Sequence, residues 1–262
     1  MTPPFGTLNA TLAGTIIANA PKYRDISEPF GDGGTLALEL AKRKPKTHQV
    51  NVEDERLYAA FLTVQRLSSA DRRGLKRFDW IASRETFEDV LAITATEGPE
   101  FLYSFLYLKQ VGMKMAAADP AGPPQFEFDL LSDGEELSGI LMGLPLMAAG
   151  LKNVTLTNDD PMDHVVGGNG FLILLPKTPA QIEAVQARLG SLGGEFFFAG
   201  KVADGMAVVD LATQFSQFTV SGRKIASIMM GSFAVITNYD SHLTPINVDA
   251  GTQMRATVGV AA

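Results

Sequence analysis

Residues 28–34 read Glu-Pro-Phe-Gly-Asp-Gly-Gly, between a short apolar-edged run at 23–27 and a helical pattern at 35–43. A strand, a glycine-rich turn and then a helix is the arrangement that holds nucleotide-type ligands at the C-terminal edge of a parallel sheet. Glycine lets the backbone approach a ligand closely, and a helix start offers N–H groups without intrahelical partners. A second strand at 48–52 ends in the acidic trio Glu53, Asp54 and Glu55. Strand, helix and strand within about thirty residues make a βαβ unit, whose crossover is expected to be right-handed. An α/β fold is the expectation.

The rest of the chain extends that pattern around a helical middle. A helix at 10–20 precedes the first strand, and apolar residues at helical spacing mark another at 57–67. Residues 68–112 read as wholly helical, with Ser83 and Glu85–Thr86 resembling a helix start. The aromatics of 101–110 (FLYSFLYLKQ) are expected to pack a core rather than form a base-stacking surface. A Pro/Gly loop occupies 116–124, residues 126–131 are a strand or a short extension, and 135–149 is a helix with a weak point at Pro145. Strands are then expected at 153–158, 170–176, 195–199 and 206–211. The unbroken apolar run GFLILLP marks the second of these as buried on both faces. Thr178 caps a helix with Pro179 in its first turn, and 224–239 reads as a closing hairpin. The expected organisation is an α/β core (1–67 and 151–245), a helical insert (68–150) and a β-prone tail (246–262).

Composition narrows the function classes. The 262 residues are 46% hydrophobic and 19% charged, which suits one large domain or a domain with a subdomain. With no cysteine, thiolate metal sites and cysteine nucleophiles are excluded, and three scattered histidines (His48, His164, His242) argue against a histidine-rich metal centre. No apolar run is long enough to cross a membrane, and the N-terminus lacks the basic start of a secretion signal. A net charge of -7 favours protein partners or a homo-oligomer over DNA. Two basic groups, Lys42, Arg43, Lys44, Lys46 and Arg72, Arg73, Lys76, Arg77, are the candidates for a local cationic face; solvated helix ends are the plainer reading.

Taken in this order, the chain resembles the Dam-like class of DNA adenine methyltransferases, which use S-adenosylmethionine to methylate the exocyclic amine of adenine. Phe5 to Pro21 (FGTLNATLAGTIIANAP) stands where members carry an aromatic–Gly–Gly–Lys opening and a helix ending near a proline. Glu28, Pro29, Phe30, Gly31, Gly33 and Gly34 match the family's glutamate–proline–phenylalanine turn. Val50 to Leu57 (VNVEDERL) corresponds to its second strand, and Ser83 to Phe87 (SRETF) to an element of its helical, DNA-recognising insert. FLYLKQVGMK, starting at Phe105, resembles the helix before its DNA-contacting loop, LKNVTLTNDD (from Leu151) the strand before its catalytic motif, and SFAVITNY (from Ser232) its closing strand. The resemblance implies a Rossmann-like methyltransferase core with a mainly parallel sheet and an S-adenosylmethionine site at Phe5, Glu28, Pro29, Phe30, Gly31, Gly33 and Glu53.

The departures gather where the family's chemistry sits. Its signature is an acid or amide, two prolines and an aromatic at the end of the fourth core strand, which accept the target amine and stack the flipped base. Here those positions are Leu175, Pro176, Lys177 and Thr178, with neither acceptor nor ring at the ends. The nearest alternative, Asp160 and Pro161 followed by Met162 and Asp163, lies one strand too early and reads as a turn. Asn9 replaces the opening lysine, Thr7 and Leu8 its paired glycines, and Asp32 intrudes into the glycine turn. The ribose-binding acid falls on Val52, with Glu53 one step off on the opposite strand face. The expectation is a pseudo-enzyme with no cofactor, kept for protein binding or assembly, in the cytoplasm of a bacterial host or in a phage virion. The tail is an assembly arm or a simple edge strand. Two competing expectations are an active, divergent methyltransferase using Asp160 with S-adenosylmethionine, and an unrelated α/β binder whose glycine turn holds another nucleotide.

Overall fold

The computed structural model describes residues 10–22, 25–31, 34–115, 135–166, 168, 170–189, 191–192, 194–201, 225–230, 233–237, 239 and 257–259. The chain opens with α1 (Ala10–Asn19), β1 (Asp25–Glu28), α2 (Thr35–Ala41) and β2 (Thr47–Asn51). Next come α3 (Glu55–Gln65), α4 (Ser69–Leu75), the short β3 (Ile81–Ala82), α5 (Arg84–Leu91), α6 (Gly98–Met115), β4 (Glu135–Glu136) and α7 (Leu144–Leu151). Then follow β5 (Thr155–Thr157), β6 (Phe171–Leu174), α8 (Pro179–Leu189), β7 (Glu195–Lys201), β8 (Ile225–Met230), β9 (Phe233–Thr237) and β10 (Thr257–Gly259). They group into two compact units, a helical one from Asp54–Lys152 and a sheet unit from Leu8–Glu53 with Asn153–Ala262.

The sheet unit is α/β with a Rossmann-like core. Its strands lie in the order β10-β8-β9-β7-β6-β1-β2-β5. Five of them, β5-β2-β1-β6-β7, run parallel. β9 pairs antiparallel with β7, β8 with β9, and β10 with β8. The chain winds outward from β1 through β2 to β5, then returns to lay β6 beside β1 and continues to β7. The reversal puts a topological switch point between β1 and β6, where open α/β sheets bind ligands beyond the strands' carboxyl ends.

Both faces of this sheet are covered, and the strand sequences show why. Leu12 and Ile16 of α1 and Leu36 and Leu40 of α2 pack on Ile26, Phe171, Ile173 and Phe197. On the other face Val185 and Leu189 of α8 meet Leu172, Leu174, Phe196 and Phe198, with Phe30 among them. Successive side chains of β6 alternate between these layers, so all four of its residues are buried, as the unbroken apolar run predicts. Each fully buried leucine or phenylalanine contributes about 1.5–3 kcal/mol.

In the helical unit α6 is the central element. Phe101, Leu102, Tyr103, Leu106 and Tyr107 are all buried, and Tyr103 stacks on Phe78 at 4.4 Å between ring centroids and meets Trp80 edge-on at 4.9 Å. The α6 aromatics are core. Three expectations change here. The stretch 68–112 is interrupted by β3, which pairs antiparallel with β4; Asp79 Oδ1 accepts from Ile81 N at 2.9 Å and turns the chain out of helix. The expected helix at 135–149 is instead β4, a 3-10 turn at Ser138–Met142, and α7. Pro145 sits in the first turn of α7, where a missing N–H costs nothing, so it starts the helix rather than weakening it. Finally α3, placed with the core on sequence, belongs to the helical unit. Asp54 caps it, accepting from Leu57 N at 2.8 Å. The expected strands at 126–131 and 206–211 fall outside the described residues.

Candidate functional site

The switch point gathers the ends of β1, β2 and β6, so Glu28–Gly31, Glu53 and Leu175–Thr178 share one edge of the sheet. Glu28, Glu53, Lys177 and Thr178 each make a hydrogen bond within the protein. Glu28 is 2% exposed and faces the α1–α2 layer, where His48 Nε2 donates to its Oε1 at 2.6 Å. Pro29 offers its carbonyl to Asn51 Nδ2 at 3.1 Å, and Phe30 is buried in the layer under α8. Gly31 donates its N–H to Asn51 O at 2.8 Å. A Cβ at Gly31 would lie 2.6 Å from that oxygen and 2.7 Å from Val50 Cγ1. This glycine is needed for approach to a neighbouring strand. Gly34 precedes α2 with φ 91°, a left-handed conformation that a side chain disfavours. Phe5, Asn9, Asp32 and Gly33 lie outside the described residues.

The loop between β6 and α8 reaches back across these strand ends. Leu175 is partly buried against both apolar layers, and Pro176 is buried. Lys177 extends its Nζ to Gly31 O at 3.2 Å. Thr178 caps α8, accepting from Gln181 N at 3.2 Å, while Gln181 Oε1 accepts from Thr178 N at 3.3 Å and from Lys177 N at 2.8 Å. Gln181 Nε2 then donates to Glu53 Oε1 at 3.0 Å. Lys177 is thus tied to the end of β1, and Gln181 to the end of β2. Val52 is fully buried and Glu53 exposed, as alternation along an extended segment requires.

Asp160 and Pro161 are placed differently. They follow β5, the edge strand two positions from β1, and open a 3-10 turn at Pro161–His164. Asp160 is exposed, and its Oδ1 accepts from Met162 N at 2.8 Å, so the carboxylate caps its own turn. His164 beside it bonds Gln49 Nε2 at 2.9 Å and Asp159 Oδ2 at 3.2 Å.

Sequence reasoning missed Asn51 and Gln181. Asn51 stands between Val50 and Val52, and its side chain joins the ends of β1 and β5. Gln181 carried a readable signal, since Thr178-x-x-Gln181 has the spacing of a capping box. Of the first basic group, Arg43 donates to Ala20 O at 2.6 Å and to Ile17 O, and Lys42 pairs with Glu39 at 2.5 Å. Both serve helix ends and surfaces. Among the described residues no cluster of three or more His, Asp or Glu side chains could hold a metal ion, and no helix is long and apolar enough to cross a membrane. No protein-family model matches this chain, and neither does any curated protein.

Proposed function

We propose that the chain is a catalytically silent, Dam-like methyltransferase scaffold, retained for protein binding or assembly, with a phage-encoded virion component as the setting the resemblance favours. The observation that carries the reading is the pair of ties across the switch point, Lys177 to Gly31 and Gln181 to Glu53. A working crevice would leave those groups for ligand; here the family's catalytic position supplies a lysine that binds the glycine turn itself. The other residues do not fit S-adenosylmethionine either. Glu28 is buried against His48, and the position of the ribose acid holds a buried valine. An active enzyme using Asp160 gains no support from a carboxylate that caps its own turn on the edge strand. The acidic balance of the whole chain, 29 acidic against 22 basic residues, favours protein partners.

Calorimetric titration with S-adenosylmethionine tests the reading, and no saturable binding in the micromolar range is expected. An affinity of ~1 μM corresponds to roughly -8 kcal/mol, and the loss of several hydrogen bonds to charged groups at about 1.5–3 kcal/mol each removes most of it. Tight stoichiometric binding would overturn the proposal.

A further inference from the structure

The second basic group is not used by the crevice. In the helical unit, Ser69, Arg72, Arg73 and Lys76 line one wall of a groove of about 630 Å³. Their spacing of three, four and seven places them on a single helix face. Asp71, the acid of α4, is engaged elsewhere: its Oδ2 accepts from Ser68 N at 2.9 Å in a capping box. Arg72 Nη2 donates to Ser69 Oγ at 2.9 Å. Among the described residues none of Arg72, Arg73 and Lys76 is paired with a carboxylate.

The opposite wall is apolar. Leu141, Met142 and Pro145 form it, and Leu75, Trp80 and Leu144 close the bottom. Met142, at the end of the 3-10 turn, is 77% exposed, and Leu146 of α7, outside the groove lining, is 64% exposed. Methionine on such a wall adapts to varied surfaces. The cationic side chains ask for negative charge and the apolar ones for hydrocarbon.

We infer that this groove docks an acidic amphipathic helix of a partner protein. Its carboxylates lie along Arg72, Arg73 and Lys76, and its apolar face rests on Leu141, Met142 and Pro145, the helix-in-groove mode. Charge complementarity beside an exposed apolar surface selects this occupant. A small anion satisfies the cations and leaves Met142 in water. A nucleic-acid backbone also leaves the apolar wall uncovered. The inference rests on the reading that the chain works by binding proteins and names the partner's chemistry.

Trp80 is the single tryptophan of the chain and lines the groove, so its fluorescence reads occupancy directly. The probe is a synthetic helix of about four turns with leucines on one face and glutamates on the other, titrated into the full-length protein. A saturable change in Trp80 emission is expected, weakening as salt rises. The double variant Arg73→Glu with Lys76→Glu, both at exposed positions, should weaken it at least about tenfold. That variant should also acquire binding of the same peptide with lysines in place of glutamates. Met142→Glu, also exposed, should weaken the acidic peptide to a similar degree. Circular-dichroism melts confirm that each variant is folded. Three results would overturn the inference: an unchanged Trp80 spectrum, equal binding by all variants, or duplex DNA or inorganic phosphate binding in the peptide's stead. The outcome is separable from the crevice reading. S-adenosylmethionine binding would sink that reading without altering the peptide titration, and a failed peptide titration leaves the cofactor result standing.

Discussion

Asn51 is 1% exposed, and its amide is fully used. Its Nδ2 donates to Pro29 O at 3.1 Å and Asp159 O at 3.0 Å, and its Oδ1 accepts from Thr157 Oγ1 at 3.0 Å and Asp159 N at 2.9 Å. Two donors and two lone pairs thus join the ends of β1, β2 and β5. Asn51→Ala strands several buried polar groups and should cost about 3 kcal/mol, read as a lower urea midpoint. Asn51→Asp should not restore it, because a carboxylate oxygen would then face the carbonyls of Pro29 and Asp159. An unaltered midpoint in Asn51→Ala would show that the strand ends hold without the amide. Gly31→Ala belongs to the same place. Its methyl meets backbone 2.6 Å away, and overpacking of this kind costs about 1–3 kcal/mol. The loss should appear in a thermal melt without any ligand present.

Two side chains distant in sequence hold the C-terminal end of α1. Arg43 takes the carbonyls of Ile17 and Ala20, and Tyr239 OH donates to Asn19 O at 2.9 Å. These are carbonyls that the helix itself cannot satisfy. Tyr239 also packs edge-on against Phe171 at 5.7 Å. Burial, with the negative charge of Glu195 adding to it, pushes its hydroxyl pKa well above the ordinary tyrosine value. The folded-state pKa is raised, so the contribution is complete below about pH 10 and is lost as pH climbs beyond it. Thermal melts should therefore fall off in that alkaline range. Tyr239→Phe should start lower at neutral pH and decline less steeply. Some decline should persist, because burial raises the hydroxyl pKa values of Tyr103 and Tyr107 as well. An equally steep decline in Tyr239→Phe would remove Tyr239 from the account.

Across the whole molecule, doubly wound topology delivers the glycine turn and the β6–α8 loop to one switch point, where Lys177 reaches Gly31 and Gln181 reaches Glu53. Methyl transfer from labelled S-adenosylmethionine to unmethylated adenine-containing DNA should be undetectable. Removing one preorganised acceptor typically costs about a hundred- to a thousand-fold, and here the stacking ring is absent too. Reinstating the motif with Leu175→Asp, Lys177→Pro and Thr178→Tyr should not produce turnover. Leu175 packs against both apolar layers, so a carboxylate there should also lower the melting temperature. Robust incorporation that vanishes in Asp160→Ala would make the chain an active methyltransferase.

The elements legible in the sequence are those whose signals are local. FLIL announces a strand buried on two faces, Thr178-Pro179 a helix start, and the glycine turn between β1 and α2 a βαβ unit, because periodicity and capping act over a few residues. β3 is two residues long and exists through pairing with β4, more than fifty positions away, so no local pattern carries it. Pairing register also decides what Gly31 is for. The glycine is visible in the sequence, but the carbonyl pressed against it belongs to Asn51 of β2. Likewise Lys177 reads only as a position of the altered motif and Gln181 as part of a helix start, until the parallel sheet sets them beside Gly31 and Glu53. The sequence determined which residues stand at the strand ends. Only the tertiary structure decided that they bind one another, since hydrogen bonds between strand ends depend on neighbours far apart in the chain.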